Sequence, residues 1–550
     1  MDDGRPPDAA GAAAAAAVAG APSVHAAIDT GPARAPNRAM MMGAIMLAMI
    51  MTVLDQTIAN VALPHMAGSV SASADQITWV LTSYIIAAAI MTPTTGWLAG
   101  RFGRKQVFVV SIVGFTLASA LCGAAQNLEQ IVLFRVLQGA FGAAMAPLSQ
   151  AVMLDAYPLE QRGPIMAIWG MGIMIAPICG PILGGWLTDN FSWRWVFYIN
   201  LPVGVLSVLG VTAFLHEEQR PQKLRFDAIG FGFLSVALGA FQLFLDRGQN
   251  NDWFQSPETC IEAAVAGLSL VLFIIHSATT ERPFLPIALL GDRNFVAATI
   301  LGLAVGLLVF SVLALLPPMT QTLLGYPVLT AGLISAPRGF GSLISMALAG
   351  RFVGRVDTRL LIITGLSMFA ISFWGMSHFA LNMDSWSIVW TGFVQGLGMG
   401  LVFTPMSVLA FATLAPNLRT DGTGVFTLVR NLGNSAGISI MQVALIQNMA
   451  RVHSRLTESA VPTNPNLPPG TLSSLGPSGM GPIGIPPAGL APPGAIAGLN
   501  GQVTQQASMV GYVDVFHLMF LTTLAAIPLV LILRNPKGPP PTAHEPLAAD

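Results

Sequence analysis

The sequence predicts an all-α, polytopic membrane protein, and three observations predict it. Lys and Arg number 25 and Asp and Glu 26 among 550 residues, so charged side chains make up 9% of the chain, against the ~25% usual in soluble domains. Hydrophobic residues reach 53% and mean hydropathy is +0.67. The apolar residues gather into long blocks, unlike the alternation of a half-buried strand or the stripe of a surface helix. Together these features exclude a soluble globular enzyme, a disordered chain and a coiled coil. A net charge of −1 supplies no basic field for nucleic acid. The three cysteines, Cys122, Cys179 and Cys260, lie in apolar blocks and read as packing residues. They are too few for a disulfide framework or a Cys-rich metal site.

Residues 1–38 read as a disordered cytoplasmic tail. The alanine run Ala12 to Ala17 follows Asp2, Asp3 and Asp8 with only Arg5 for balance, the wrong charge for a signal peptide. A bias to Pro, Ala and Gly leaves too little apolar surface to offset the ordering entropy. Fourteen windows beyond it have the ~20 apolar residues that cross ~30 Å of hydrocarbon. They are 39–63, 76–99, 106–125, 131–154, 164–187, 195–215, 227–246, 259–276, 295–317, 331–350, 360–380, 386–413, 424–449 and 511–533.

An even count places both termini on one side. Eighteen Lys and Arg fall on that side, four (Arg194, Arg247, Arg451 and Arg455) on the other, and Arg135, Arg338 and Arg430 within spans. The positive-inside rule makes the side of the termini cytoplasmic. Residues 461–500 contain ten Pro and eight Gly, so the segment reads as part of a Pro/Gly-rich external loop over 451–510.

The string Leu98-Ala99-Gly100-Arg101-Phe102 returns 250 residues later as Leu348-Ala349-Gly350-Arg351-Phe352, after the second and tenth spans. A weaker echo links Gln138-Gly139 and Pro147-Leu148-Ser149 in the fourth span to Gln395-Gly396 and Pro405-Met406-Ser407 in the twelfth. Both carry an offset of eight spans. The expected organisation is a six-helix half at 39–215, two inserted helices at 216–294, a second six-helix half at 295–533 and a cytoplasmic tail at 534–550. Parallel repeats of this kind suit a secondary transporter with its site between the halves.

Four segments carry chemistry. The first span reads Leu54-Asp55-Gln56-Thr57-Ile58-Ala59-Asn60-Val61-Ala62-Leu63-Pro64. A charge inside a span costs at least ~2.5–3.5 kcal/mol, so Asp55 is a functional candidate by default, as a reversible proton carrier. The second span ends in Gly96-Trp97-Leu98-Ala99-Gly100-Arg101-Phe102-Gly103-Arg104-Lys105, a glycine turn with three cations. The fourth holds Arg135-Val136-Leu137-Gln138-Gly139-Ala140-Phe141-Gly142, where a buried Arg135 needs an acidic or carbonyl partner. Arg135 has no counterpart in the twelfth span, where Gly392 takes its place, so it is expected to bias Asp55 toward the ionised form. The fifth reads Gly170-Met171-Gly172, then Ala176-Pro177-Ile178-Cys179-Gly180-Pro181-Ile182-Leu183-Gly184-Gly185, small residues that admit close helix approach and prolines that bend a helix.

In this order and spacing the strings resemble the major facilitator superfamily, and within it the fourteen-span drug:proton antiporter family of the EmrB/QacA type. The resemblance covers nearly the whole chain beyond the N-terminal tail. It extends to Trp193-Arg194-Trp195-Val196-Phe197-Tyr198-Ile199-Asn200-Leu201-Pro202 and to Gln502–Met509 with Asp514-Val515-Phe516. The resemblance implies a major facilitator fold and efflux of hydrophobic or amphipathic toxic compounds against protons by alternating access. It identifies Gly170, Pro177, Gly180, Pro181, Gly184 and Gly185 as the antiporter signature. The EmrB branch implies a bacterial inner-membrane pump with a periplasmic adaptor and an outer-membrane channel. Gly100 stands where the superfamily commonly has an acid. Topology pairs Arg104 instead with Asp155 as a gate that must break when the halves rock apart; by the repeat, Arg351 and Arg355 are expected to do the same for the other half, and Arg101 belongs with the gate cations.

Gln56, Asn60, Gln138 and Arg338 are candidates for the substrate cavity; Arg338 there favours anionic or weak-acid compounds. Arg430 reads as snorkelling toward the cytoplasmic end of its span. His276, His378 and His517 lack metal-ligand spacing. The chain has no Gly-x-x-x-x-Gly-Lys-[Ser/Thr] loop for nucleotide and no nucleophile–base pair, so neither a cofactor nor an enzyme is expected and the proton-motive force is the energy source. Two alternatives stay open: proton symport of a small nutrient, and a non-transporting membrane sensor.

Overall fold

The structure is a computed structural model of the full chain. It describes residues 38–216, 225–248, 251, 253–280, 283–415, 418–459 and 493–534. The expected N-terminal tail, almost all of the C-terminal tail and most of the Pro/Gly-rich loop lie outside the described residues.

Each of the fourteen windows falls on helix. The N-terminal half comprises α1 (Arg38–Ser69), the broken run α2 (Ala74–Ile77, Trp79–Met91, a tight turn at Thr92–Thr94, and Thr95–Phe102), α3 (Arg104–Ala124), α4 in two pieces (Leu128–Gly142 and Met145–Ala156), α5 (Leu159–Asn190) and α6 (Trp195–Tyr198 and Asn200–Phe214). The inserted pair is α7 (Ala228–Arg247) and α8 (Pro257–Thr279). The C-terminal half is α9 (Arg293–Pro318), α10 (Val328–Phe352), α11 (Thr358–Met376), α12 (Ser385–Ala412), α13 (Arg419–Ser459) and α14 (Pro493–Ala526). Among the described residues, ten helices are long and apolar enough to cross a membrane. The other four runs are α2, which is split, and α5, α10 and α13, which carry glycines and polar residues where the halves meet. α13 and α14 also reach further into the 451–510 loop than hydropathy predicts. A hydropathy window ends where Arg451, His453 and Arg455 begin, whereas the helix continues, with His453 Nε2 standing 3.1 Å from Asn500 Oδ1 of α14.

Helix packing repeats with the eight-span offset. In the first half α1 packs on α5, α2 on α4, α3 on α4 and α3 on α6; in the second, α9 packs on α13, α10 on α12, α11 on α12 and α11 on α14. Even the turn after the repeated string recurs, since Gly103 and Gly354 take φ of 92° and 87°. That left-handed conformation suits residues without a β-carbon. The face bearing Arg101, Arg104, Lys105, Arg351 and Arg355 is here termed the basic face.

The halves are joined near that face. α5 packs on α10 so closely that a β-carbon on Gly163 would stand 2.9 Å from Val353 Cβ, and one on Gly350 would stand 2.6 Å from Ala167 Cβ. Trp169 then stacks on Phe403 at 6.0 Å between ring centres, with Gly170 against Met346 Sδ. Further from the basic face α5 lies on α1 instead, Gly180 against Thr57 and Gly184 against Ile58.

α7 leans on both halves: Thr82 of α2 hydrogen-bonds Asp246, while Gln242 bonds Ser435 at 3.1 Å and Ser439 donates to Leu245 O, both from α13. His276 of α8 stands 2.9 Å from Asp227, the cap of α7. Cys260, expected as packing, is exposed at the start of α8.

The α10–α12 seam gives a direct test. A β-carbon on Gly396 would stand 2.1 Å from the carbonyl oxygen of Arg338, which is backbone and cannot swing aside, while one on Gly185 meets nothing within 4 Å. Gly396→Ala should therefore destabilise by about 1–3 kcal/mol and lower the melting temperature of the purified protein, while Gly185→Ala leaves it unchanged.

Candidate functional site

Asp55 and Arg135 meet in the interior of the N-terminal half, both 0% exposed. Arg135 donates from Nη1 to Asp55 Oδ2 at 2.6 Å and to Gln138 Oε1 at 2.8 Å, and from Nε to Val80 O at 2.9 Å. Its guanidinium lies over Tyr84 at 4.4 Å and near Phe197 at 5.7 Å. The other carboxylate oxygen, Oδ1, accepts from Gln138 Nε2 and from Asn200 Nδ2, each at 2.8 Å. Asn200 is held by a second bond to Ser119 Oγ at 2.9 Å, and Ser119 donates to Phe197 O.

Local structure explains the convergence. Arg135 and Gln138 are one turn apart on α4 and so share a face. Gly139, on the next position, lets α4 approach α2, since a β-carbon there would stand 2.4 Å from Tyr84 O. Asn200 is the first residue of the second α6 segment, where the turn Trp195–Tyr198 brings its side chain inward. The result is an ion pair whose carboxylate accepts three charge-assisted or amide hydrogen bonds, the arrangement that a buried pair requires. Arg135 and the two amides are positioned to meet the negative charge of Asp55.

The expected cavity residues divide. Gln56 and Asn60 lie on the exposed side of α1, and Gln56 also donates to Tyr84 Oη at 3.3 Å. Gln138, in contrast, is 0% exposed with both ends of its amide engaged. It therefore belongs to the Asp55 network and not to the cavity wall, a correction to the sequence reading. A single sequence marks Gln138 as polar within a span but does not say which face of α4 it occupies. Arg338 is part-exposed on α10, and Arg430 lies over the ring of Phe403 at 5.2 Å deep within the fold, not at the helix end.

At the basic face Asp155, at the end of α4, accepts from Arg104 Nη1 at 2.6 Å and from Arg419 Nη1 at 2.5 Å. Arg104 belongs to the first half and Arg419 to the second, so one carboxylate ties the halves together. Asp421, two residues on, packs into the hollow left by Gly96, where a β-carbon would stand 1.5 Å from its Oδ1. Arg104 lies near enough to act on it. The acid that Arg104 pairs with is thus Asp155, with Asp421 nearby, in a loop where Gly100 offers none.

Arg351 and Arg355 are exposed; among the described residues they and Arg101 have no carboxylate partner. The sequence reading places Arg351 and Arg355 in a second gate by repeat symmetry. The symmetry fails because the second half has no acid matching Asp155. Sequence reasoning missed Asn200, Ser119, Tyr84, Arg419 and Asp421. Only Asn200 left a signal, as a polar residue inside the Trp193–Pro202 string.

In the antiporter signature, Gly170, Gly180 and Gly184 stand at helix contacts, Gly185 faces open space, and Pro177 and Pro181 lie within the continuous helix α5. The fold and the site define a multi-pass membrane transporter with a buried ion pair in one half and an ionic tie at one face. The model of the Major Facilitator Superfamily matches residues 45–438, and the chain belongs to that family. It is a transporter and not an enzyme. It is 38% identical over 425 residues to the Escherichia coli K12 "Multidrug export protein EmrB", covering 77% of this chain and 83% of that one. It is 34% identical over 492 residues to the "Fatty acid resistance protein FarB" of Neisseria gonorrhoeae, covering 89% and 95%. Among solved structures the fold is similar to the human organic anion transporter MFSD10, with a TM-score of 0.55 and 12% identity over 88% of this chain and 99% of that one. It is also similar to the proton:xylose symporter XylE, with 0.56 and 14% over 76% and 90%.

The ion pair predicts a thermodynamic signature. Arg135→Leu leaves the Asp55 carboxylate buried without its cation and should cost about 3–5 kcal/mol. Adding Asp55→Asn to it should restore a large part of the loss. Thermal unfolding of the two single variants and the double variant checks the coupling.

Proposed function

We propose that the protein exports hydrophobic or amphipathic toxic compounds in exchange for protons. The observation that carries this reading is the Asp55–Arg135 pair, an ionisable couple buried inside a spanning half and closed by three donors to one carboxylate. Similarity to proteins named for multidrug export and fatty acid resistance supports the direction of transport. The basic face is read as cytoplasmic, with both termini on that side, and the membrane as the bacterial inner membrane. The EmrB-like branch further supports a periplasmic adaptor and an outer-membrane channel as partners. The proton-motive force is the energy source, and the cycle requires no cofactor.

The geometry corresponds to one stage of that cycle. With Asp55 ionised and held by Arg135, Gln138 and Asn200, the basic face is closed by Asp155, Arg104 and Arg419 and by the Trp169–Phe403 stack. A compound in the space beside Gln56 and Asn60 leaves toward the far face. A proton arriving there neutralises Asp55 and loosens its hold on Arg135. The first half then relaxes, the Asp155 tie breaks, and the basic face opens. A new compound enters as the proton leaves to the cytoplasm and Arg135 recaptures the carboxylate. One charge moving through the membrane potential supplies ~2.3 kcal/mol per 100 mV, enough for a gradient of more than tenfold.

Two outcomes are expected. In proteoliposomes, amphipathic compounds should trigger proton movement with the native chain and none with Asp55→Asn; equal movement in both would exclude Asp55 as the carrier. Asp155→Asn removes the acceptor shared by Arg104 and Arg419. It should raise the labelling rate of a cysteine placed at Met346 by a reagent added on the basic face; an unchanged rate would exclude the tie as a gate.

A further inference from the structure

The C-terminal half holds charge that it does not balance. Arg338 and Arg430 lie inside its helices. The described acids of this half are elsewhere: Asp292, Asp357 and Asp384 cap helices, Asp421 and Glu458 stand in the first and last turns of α13, and Asp514 is exposed. α9, the counterpart of the helix that bears Asp55, contains no acid at all. Arg338 Nε and Nη2 are enclosed and have no hydrogen-bond partner. Gln395, only 2% exposed, has neither amide atom bonded.

These two side chains belong to one level of the fold. α10 and α12 run side by side, and a β-carbon on Gly392 would stand 3.7 Å from Arg338 Cβ, while Gly396 packs on Arg338 O. Gln395 falls between those glycines. Two turns further along the same helices come Met346 and Phe403, which close the path to the basic face. Arg338 and Gln395 therefore stand two turns from that plug, on the side away from the basic face.

The repeat shows what is missing. Gln395 matches Gln138, which in the first half shares a carboxylate with Arg135. Gly392 replaces Arg135, and the cation comes from the neighbouring helix as Arg338. The second half thus repeats an amide and a guanidinium without the carboxylate that joins them. Enclosed cations in a membrane protein require a counter-charge, and a guanidinium fork beside an amide donor fits a planar carboxylate.

We propose that Arg338 and Gln395 form an anion site for the carboxylate head of an amphipathic substrate, which takes in the second half the place that Asp55 takes in the first. This rests on the reading of the chain as an exporter of amphipathic compounds and names their head group. The apolar tail of such a substrate extends toward the far face, and its carboxylate stays separate from the proton site.

Equilibrium binding to the full chain in lipid nanodiscs, without a proton gradient, tests the site. The probes are radiolabelled decanoate and decyltrimethylammonium, equal in chain length and opposite in charge. The native chain should bind decanoate at least about tenfold more tightly than the cation. Arg338→Gln should remove that preference, and Arg338→Lys should keep part of it, since the charge remains while the fork is lost. Gln395→Ala should weaken decanoate alone.

No preference for decanoate in the native chain, or a preference that survives Arg338→Gln, overturns the site. A loss of both probes in Arg338→Gln is decided by Gln395→Ala, where equal loss of both probes also overturns it. Decanoate held through Arg338 in a protein that moves no protons overturns the antiport reading and leaves the site standing. Proton-coupled movement of compounds with no preference for decanoate does the reverse.

Discussion

The fold is organised around a carboxylate and a guanidinium that water does not reach. A buried ion pair is stable only if both partners have their remaining hydrogen-bonding capacity met, and here that condition recruits five helices. α1 brings Asp55, α4 brings Arg135 and Gln138, α2 supplies Val80 O and the ring of Tyr84, and α6 supplies Asn200, steadied by Ser119 of α3. In the proposed cycle, removing a proton from this cluster tightens the first half and adding one loosens it, so the interaction that holds the half together is also the one that would report proton binding.

The two halves share a packing plan but divide the chemistry. The first contains a complete acid–base couple; the second contains cations without internal acids. At the basic face they are joined by a carboxylate of the first half, Asp155, held by an arginine from each half. Beyond that tie and the packing of Asp421 on Gly96, α5 meets the second half through glycines, small and aliphatic side chains and stacked rings. A joint of this kind breaks and reforms at low cost, which alternating access demands.

Much of this was legible in the sequence. Each hydropathy window falls on helix, ten of the described helices being long and apolar enough to span, and the repeated Leu-Ala-Gly-Arg-Phe string pointed to the paired helix packing. Asp55 and Arg135 were legible because a charge within an apolar span is expensive and so stands out. Asn200 and Ser119 were not, since neutral polar residues are common in spans and nothing in a linear pattern says which face they occupy. Arg419 and Asp421 resemble ordinary topology-setting charge until the fold brings α13 against α2 and α4. Gln138 was assigned to the wrong side of its helix for the same reason. Repeat symmetry misled for Arg351 and Arg355, because the cations of the loop were duplicated and the acid at the end of α4 was not.

The central claim is that protonation of Asp55 decides which face is open. Spin labels placed across the basic face, one at the end of α4 and one at the start of α13, measure this directly as distance distributions. The account predicts a short distance under mildly alkaline conditions that gives way to a longer one as the pH falls, and a long distance at every pH in Asp55→Asn. A distribution that ignores pH, or one that is identical in native protein and Asp55→Asn, would contradict it.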